Sequence, residues 1–224
     1  MNEIFKQKRE TFDLLRRFTP KTVAAEQCEL CGLVVGSLHR HLLDLKTRSI
    51  LCACQACGIL FSNESGQRYK RIPETTKGLD DFRLTDAQWE SLAIPISLAF
   101  FFRDSVAEKF VAFYPSPAGP TESLLDLSSW QEIVDENAAV AAMQADVEAL
   151  LINRVKTARE YYITPIDECY RLVGIIRLNW RGLSGGTEVW KSIDQFFAGL
   201  RDKASATQLP RSVRAKSGLT NAAA

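Results

Sequence analysis

Long apolar runs are missing from this sequence of 224 residues. Its first twenty residues alternate charged and apolar side chains, unlike a secretory signal peptide, and no later stretch reaches the roughly 20 apolar residues that a membrane-spanning helix needs. We therefore expect no membrane segment and a cytoplasmic protein. Thiols stay reduced in that compartment, so clustered cysteines indicate metal ligands or redox groups before they indicate disulfides.

A strong net charge is also missing, because 28 basic residues balance 27 acidic residues. The distribution is uneven, since residues 80–150 carry thirteen acidic and three basic side chains. The cysteine-rich segment at residues 22–79 is only weakly basic, with seven basic and five acidic residues. A nucleic-acid-binding surface needs a contiguous field of Lys and Arg, so this pattern argues against nucleic acid as a partner. An acidic middle region favours a protein partner with a basic surface.

Histidine is scarce, and His39 and His41 are its two occurrences. This matters for RGLSGG at residues 181–186, which matches the G-x-S-x-G motif of serine hydrolases. A serine nucleophile needs a base, and both histidines lie about 140 residues upstream, in the wrong order for an α/β-hydrolase. No complete catalytic constellation is apparent, which favours a non-enzymatic role. The glycines are instead expected to turn the chain into the last helix, whose N-terminus is a candidate anion site formed by Arg181, Gly185 and Gly186.

Four of the six cysteines form two copies of the pattern C-x-x-C-G, CELCG at residues 28–32 and CQACG at residues 54–58. Two intervening residues let both thiolates of a turn point at one ion, and the glycine can take the positive φ that brings backbone amides toward the sulfurs. Twenty-two residues separate Cys31 from Cys54, which is enough for a two-stranded hairpin. We therefore expect one ion in a tetrahedral cage. Its predicted ligands are Cys28, Cys31, Cys54 and Cys57.

One more thiol, Cys52, and both histidines lie close to these motifs. We interpret Cys52 as a small core residue. The alternatives are a metal ligand in place of one of the four cysteines, or a redox-active thiol near the cage. His39 and His41 fall on one face of the predicted hairpin, where they can bind a second ion or hydrogen-bond the first cage. Because four thiolates already satisfy one tetrahedral ion, we favour a supporting or structural role for them. Cys169 stands alone and is expected to be a buried thiol.

Zinc and iron both accept four thiolates, and ligand spacing does not distinguish them. The paired motifs resemble those of rubredoxins, whose iron carries one electron, but the second motif lacks the proline that rubredoxins usually place after its first cysteine. We therefore expect one structural zinc ion, with one rubredoxin-like iron ion as the alternative. Hydrolytic chemistry is not expected at an ion whose four positions are filled by cysteines.

The hydrophobic pattern predicts an α+β fold in four parts. A small four-cysteine zinc-ribbon or rubredoxin-like module is followed by an α+β domain with a mostly antiparallel sheet. The predicted parts are an amphipathic helix at 1–21, the metal-binding ribbon with its linker at 22–79, the α+β domain at 80–203 and a disordered tail at 204–224.

Several local signals predict elements inside the α+β domain. Thr85 and Gln88 have the spacing of a capping box that begins a helix. The apolar stretches at residues 94–102 and 109–117 predict buried strands. Enrichment in β-branched and aromatic residues predicts strand on both sides of Pro165.

Seven sequence blocks between residues 25 and 202 carry a family resemblance through their content and their order. They are CELCG, HRHLLDL, CACQACG, YPSPAGPTESLLDL, DVEALLINR, PIDECYRLVGIIR and WRGLSGGTEVW. Together they resemble an uncharacterised bacterial family whose genes lie beside those of high-affinity nickel-iron hydrogenases. The resemblance implies an accessory role in assembling or serving that enzyme, with a hydrogenase subunit or a maturation factor as partner. A rubredoxin-like electron carrier and a nucleic-acid-binding zinc ribbon are the alternative functions.

Overall fold

The computed structural model describes residues 25–61, 68–123, 127–182 and 185–208. These residues form two antiparallel sheets and six helices, which confirms the predicted α+β class. The predicted amphipathic helix at residues 1–21 and the predicted tail beyond residue 208 lie outside the described residues.

The smaller sheet has three strands in the order β2-β1-β3. Its first two strands form the hairpin predicted between the cysteine motifs, and the turn between them is closed by a residue in left-handed conformation, Arg48, with φ of 60°. A short helix, α1 (Gln55–Leu60), follows β2. We call the described residues between 25 and 72 the ribbon. Its strands are β1 (Arg40–Asp44), β2 (Ser49–Ala53) and β3 (Tyr69–Arg71).

The larger sheet has six strands in the order β4-β9-β8-β5-β6-β7, and every neighbouring pair is antiparallel. We call the described residues from 76 to 208 the body. Its strands are β4 (Lys77–Gly78), β5 (Leu98–Asp104), β6 (Lys109–Ser116), β7 (Gly119–Ser123), β8 (Glu148–Asn153) and β9 (Glu160–Pro165). Its helices are α2 (Asp86–Ser91), α3 (Leu127–Glu136), α4 (Ala138–Ala141), α5 (Ile166–Asn179) and α6 (Gly186–Gln208).

Helices cover both faces of the larger sheet. Phe100 and Leu151 on one face pack with α5 and α6, whereas Phe101 and Leu150 on the other face pack with the apolar side chains of α3 and α4. A strand that is buried on both faces has no polar side to present. The central strands β5 and β8 are therefore apolar runs, which confirms the buried strand predicted from the stretch at residues 94–102.

The capping box predicted at the start of α2 is confirmed. The Gln88 N–H donates to the Thr85 hydroxyl over 3.1 Å, and the Thr85 N–H donates to the Gln88 side chain over 2.9 Å. Both bonds satisfy amides that the first helical turn leaves unpaired, which fixes the helix start at this position.

The prediction of strand on both sides of Pro165 is wrong for the second side. Strand β9 ends at Pro165, and α5 begins at the next residue. Pro165 occupies the N-cap position, and Asp167 and Glu168 place negative charge in the first helical turn, where the helix dipole favours it. The buried residues Ile166, Cys169, Leu172, Val173 and Ile176 recur at spacings of three and four. This helical period overrides the β propensity of individual residues.

The predicted linker between the ribbon and the α+β domain contributes to the larger sheet. Strand β4 lies in it and pairs with β9, and the buried hydroxyls of Thr76 and Thr164 are 2.9 Å apart. At the other end, α6 continues to Gln208, five residues beyond the boundary expected at 203, and Ala204 is buried. The folded body thus extends past both ends of the predicted domain, through strand β4 before residue 80 and through α6 after residue 203.

A buried carboxylate, Asp146, joins the ribbon to the body. Arg48 and Lys70 of the ribbon donate to its two oxygens over 2.8 and 2.6 Å, and the Ser105 N–H donates over 3.0 Å. Burial opposes ionisation, but the hydrogen bonds from Lys70, Ser105 and Arg48 outweigh it and lower the pKa of Asp146 to about 2. The ribbon residues Leu43 and Ile72 also belong to the apolar cluster formed with α5 and α6.

Candidate metal centre

The first cysteine motif forms a tight loop closed by an antiparallel bridge between Gln27 and Val34. Inside it the Cys28 N–H donates to the Leu33 carbonyl over 2.7 Å, and the Gly32 N–H donates to the Cys28 carbonyl over 2.8 Å. Gly32 has φ of +75°, which confirms the predicted left-handed glycine at this turn.

The second motif forms its turn with the beginning of α1. Cys54 is the N-cap residue, and its sulfur accepts a hydrogen bond from the Cys57 N–H over 3.4 Å. A helix N-terminus favours negative charge, so this placement suits a thiolate. The predicted positive φ is wrong for Gly58, because this glycine lies inside α1. Gly58 is instead needed for close packing, since a Cβ there would stand 2.9 Å from Arg40 Cδ.

The hairpin brings the two motifs together. The sulfur atoms of four cysteines lie within 4.8 Å of one another, and the Cys31 and Cys54 sulfurs are 3.7 Å apart. Four sulfurs at the usual zinc–sulfur distance of about 2.3 Å stand about 3.8 Å apart at the corners of a tetrahedron, so the set fits one metal ion. Zinc and iron both take this geometry. We call this group the cage; it consists of Cys28, Cys31, Cys54 and Cys57.

The thiols of the cage differ in acidity. Burial disfavours the thiolate of Cys28, but hydrogen bonds from the backbone at Cys54, Leu30 and Cys31 outweigh burial and lower its pKa to about 6. Burial and the neighbouring cage thiols raise the pKa of Cys57 to about 12. A metal ion would deprotonate the whole set, because only thiolates act as ligands.

A second group of ligand-type side chains lies on the same hairpin. One ring nitrogen each of His39 and His41 and the sulfur of Cys52 lie within 4.8 Å of one another. Cys52, preferred above as a core residue, is half-buried and belongs to none of the three apolar clusters of the described residues. We call these three residues the seam cluster, because His41 contacts Asp167 of α5 where the ribbon meets the body.

Two contacts of the seam cluster escaped sequence reasoning. His41 Nδ1 lies 2.7 Å from a carboxylate oxygen of Asp167, 126 residues away along the chain, and nothing local signals such a pair. The Cys52 N–H donates to the side chain of Glu29 over 2.6 Å, and the Glu29 N–H donates to the Cys52 carbonyl over 2.9 Å. Glu29 lies between the two cysteines of the first motif, and this position beside the predicted cage was the one sequence signal for its contact with Cys52.

The structure places the predicted anion-site residues at the start of α6. The Arg181 N–H donates to the Gly185 carbonyl over 3.0 Å, and the Arg181 guanidinium donates to the carbonyls of Leu178 and Trp180. Gly185 and Gly186 have φ of +86° and +75°, so the predicted turn into the last helix is confirmed. The guanidinium thus caps the end of α5.

Cys169 is a buried thiol, as the sequence indicated. It is fully enclosed in the apolar cluster of α5 and α6, and burial raises its pKa well above the usual range. Such a thiol is chemically inert.

No helix within the described residues is long and apolar enough to cross a bilayer.

Comparison with known proteins places the ribbon and the body in one family unit. Neither the curated proteins nor the solved structures contain a significant match. A family model described as a family of unknown function, DUF5947, matches residues 27–204, from the residue before the first cage cysteine to the last turns of α6. The match covers most of the chain and includes the cage and the seam cluster. The chain therefore belongs to DUF5947.

Proposed function

We propose that the cage holds one structural zinc ion and that the protein acts through contacts with other proteins, as an accessory factor in assembly or maturation of a nickel-iron hydrogenase. The convergence of four cysteine sulfurs, with Cys31 and Cys54 3.7 Å apart, carries the metal assignment. Four thiolates fill the coordination sphere of zinc, so the ion stabilises the ribbon and leaves no open position for a substrate. The hydrogenase connection rests on the sequence blocks between residues 25 and 202.

Exposed apolar side chains on the ribbon support a role in protein contact. Leu33 and Val34, directly after the first motif, are each 59% exposed, and Leu60 at the end of α1 is 66% exposed. Apolar groups that gather on one small module mark interaction surfaces more often than isolated ones do. These side chains give the ribbon one contact surface. We predict the acidic region at residues 80–150 as a second contact surface.

The ion pairs of the ribbon weigh against nucleic acid as the partner. A phosphate backbone is bound by cationic side chains that are free to contact it. Most basic residues of segment 22–79 instead lie beside carboxylates. These pairs are Arg40–Glu74, Arg48–Asp146, Arg68–Asp44, Lys70–Asp146, Arg71–Glu74 and Lys77–Glu148.

Metal analysis of the purified full-length protein tests the zinc assignment. We expect zinc in the protein, a colourless solution, and the loss of the cage ion in Cys57→Ser, with Cys169→Ser as a control that keeps it. Iron bound by thiolates has visible charge-transfer bands, whereas zinc has no accessible redox change. A red protein that bleaches reversibly with dithionite would instead establish the electron-carrier alternative.

Affinity capture from cells that express a nickel-iron hydrogenase tests the accessory role. The full-length protein should recover hydrogenase subunits or maturation factors. Recovery should fall in a Leu33→Ser, Leu60→Ser double variant if the ribbon is the main contact, and in an Asp80→Asn, Asp81→Asn variant if the acidic region is. Absence of hydrogenase components from every capture, together with unchanged hydrogen oxidation after gene deletion, would refute the accessory role.

A further inference from the structure

The seam cluster owes its assembly to the hairpin register. His41 pairs with Cys52 across β1 and β2, so their side chains leave the sheet on the same face. His39 precedes His41 by two residues and joins them, with its ring centroid 4.8 Å from that of His41 and the two rings nearly perpendicular. One nitrogen of each ring and the Cys52 sulfur come within 4.8 Å of one another.

His39 has one ring nitrogen whose bonding is unexplained. Its Nδ1 lies 2.8 Å from the Gly36 carbonyl, and since a carbonyl can only accept, Nδ1 carries the proton and Nε2 of the neutral ring carries a lone pair. The side chain is only 8% exposed, and Nε2 is buried without a hydrogen-bond partner. An unsatisfied buried polar atom is destabilising, so native proteins rarely keep one without a reason.

His41 is oriented in the same way by a different acceptor. Its Nδ1 lies 2.7 Å from the Asp167 carboxylate, so Nδ1–H donates there and Nε2 of the neutral ring keeps a lone pair. Histidines that bind metals characteristically donate their other ring N–H to a carboxylate or a backbone carbonyl. Both forms of this arrangement occur here, with Asp167 behind His41 and the Gly36 carbonyl behind His39.

A plain ion pair between the ribbon and α5 would account for His41 and Asp167. It leaves the lone pair on His39 Nε2 buried and unused, and it gives no reason for a thiol beside two imidazoles. We propose that His39, His41 and Cys52 bind a second metal ion, separate from the ion of the cage. Coordination would satisfy His39 Nε2 and give the Cys52 sulfur a partner.

The ligand set defines the class of ion. Two imidazoles and one thiolate suit zinc, copper or nickel, whereas calcium and magnesium prefer oxygen ligands. Three protein ligands leave a fourth position for a small exogenous donor, as in metal sites that bind substrates. His41 and Cys52 are partly exposed, so such a donor can reach the ion from solvent. The carboxylates of Glu26, 3.5 Å from His39, and of Asp167 add negative charge that favours a cation.

Zinc counting on the full-length protein tests this site. After dialysis against buffered zinc, we expect two ions per chain in the natural protein and in Cys169→Ser, and one in His39→Gln and in Cys52→Ser. The ion that remains in these two variants shows that the cage, and with it the ribbon, is still folded. Saturation of the natural protein at one ion, or two ions in both variants, would overturn the proposal.

Two further measurements separate a metal site from a structural contact. Asp167→Asn keeps the three ligands but loses the charge behind His41, and should weaken binding of the second ion about 10- to 100-fold. An unchanged affinity would assign the His41–Asp167 pair to folding alone. In cobalt-loaded protein, added imidazole should shift the visible bands of the natural protein and leave those of Cys52→Ser unchanged. Bands that do not shift in the natural protein would refute the open position.

Discussion

The ribbon and the body bury their apolar side chains on very different scales. The apolar cluster of the ribbon has five buried members, three of which are cage cysteines and the others Leu42 and Ala53. The body has two extensive clusters, one on each face of a six-stranded sheet. A small module without a sufficient core needs a metal or a disulfide to fold, whereas a covered sheet does not. With the proposed ion in the cage, one chain combines a part folded by coordination with a part folded by packing.

The largest expected effect breaks the ribbon and spares the body. Cys57→Ser removes a buried cage ligand, and structural zinc binding contributes about 10–16 kcal/mol in small zinc-binding peptides, far more than five buried residues can replace. We expect the amides of Cys28 and Gly58 to lose protection from hydrogen exchange while β5 and β8 keep theirs. Continued protection of the ribbon amides in the metal-free variant would show that packing alone folds the ribbon.

The converse change weakens the body and spares the metal. Phe101 is fully buried and stacks on Trp130 with ring centroids 4.2 Å apart. Phe101→Ala should lower the free energy of unfolding by about 3–5 kcal/mol, measured by urea denaturation with tryptophan fluorescence. Zinc content should stay unchanged. Val106→Ala, at a side chain that is 76% exposed, is the control, and an equal loss there would contradict the packing account.

A smaller effect concerns the junction between the two parts. The pKa of Asp146 is lowered to about 2, below the value of about 3.9 for an unfolded chain, so its carboxylate stabilises the fold above about pH 4 and this contribution is lost as the pH falls toward 2. Asp146→Asn should lower the free energy of unfolding at neutral pH by only about 1–2 kcal/mol, because water around the partly exposed Arg48 and Lys70 side chains screens the ion pairs.

The check on Asp146 is the difference in unfolding free energy between the natural protein and the variant, followed from pH 7 to pH 2. This difference should shrink through the acid range. Glu108→Gln, which removes an exposed carboxylate, should give a difference near zero at each pH. A constant difference for Asp146→Asn would show that its charge is not what joins the ribbon to the body.

The smallest effect tests a purely local feature of the body. Thr85→Ala removes the hydroxyl that caps α2 and should cost about 1 kcal/mol in thermal or urea unfolding. Thr85→Ser keeps the capping oxygen and should stay within about 0.5 kcal/mol of the natural protein. Neither substitution should alter metal content, since α2 lies outside the ribbon.

Local signals in the sequence predicted structure where the responsible residues are close together in the chain. The capping box of Thr85 and Gln88 spans four residues, and each cage motif places its two cysteines three apart, so spacing alone revealed both. The cage could be anticipated as a whole because the same motif occurs twice. The hairpin between the copies then follows from two short β-prone stretches.

Features made by distant residues were beyond the sequence. The contact between His41 and Asp167 depends on how the ribbon docks against α5, and the buried position of Asp146 depends on two ribbon cations that approach it from outside the body. The error after Pro165 has another cause. In the stretch after Pro165, β-branched residues favour a strand locally, but the apolar residues recur at the helical spacing that buries them on one face of α5. That spacing determines the fold.

The two-residue strand β4 has a consequence for self-association. It is an edge strand of the body sheet and pairs with β9 at Ile163 and Tyr162. An uncovered edge strand offers unpaired N–H and C=O groups to another chain, which is a route to aggregation. Since β4 begins six residues after β3, unfolding of the ribbon would loosen β4 and expose the edge of β9. Loss of the metal would then favour aggregation, because the folded ribbon holds β4 over a strand edge that could otherwise pair with another chain.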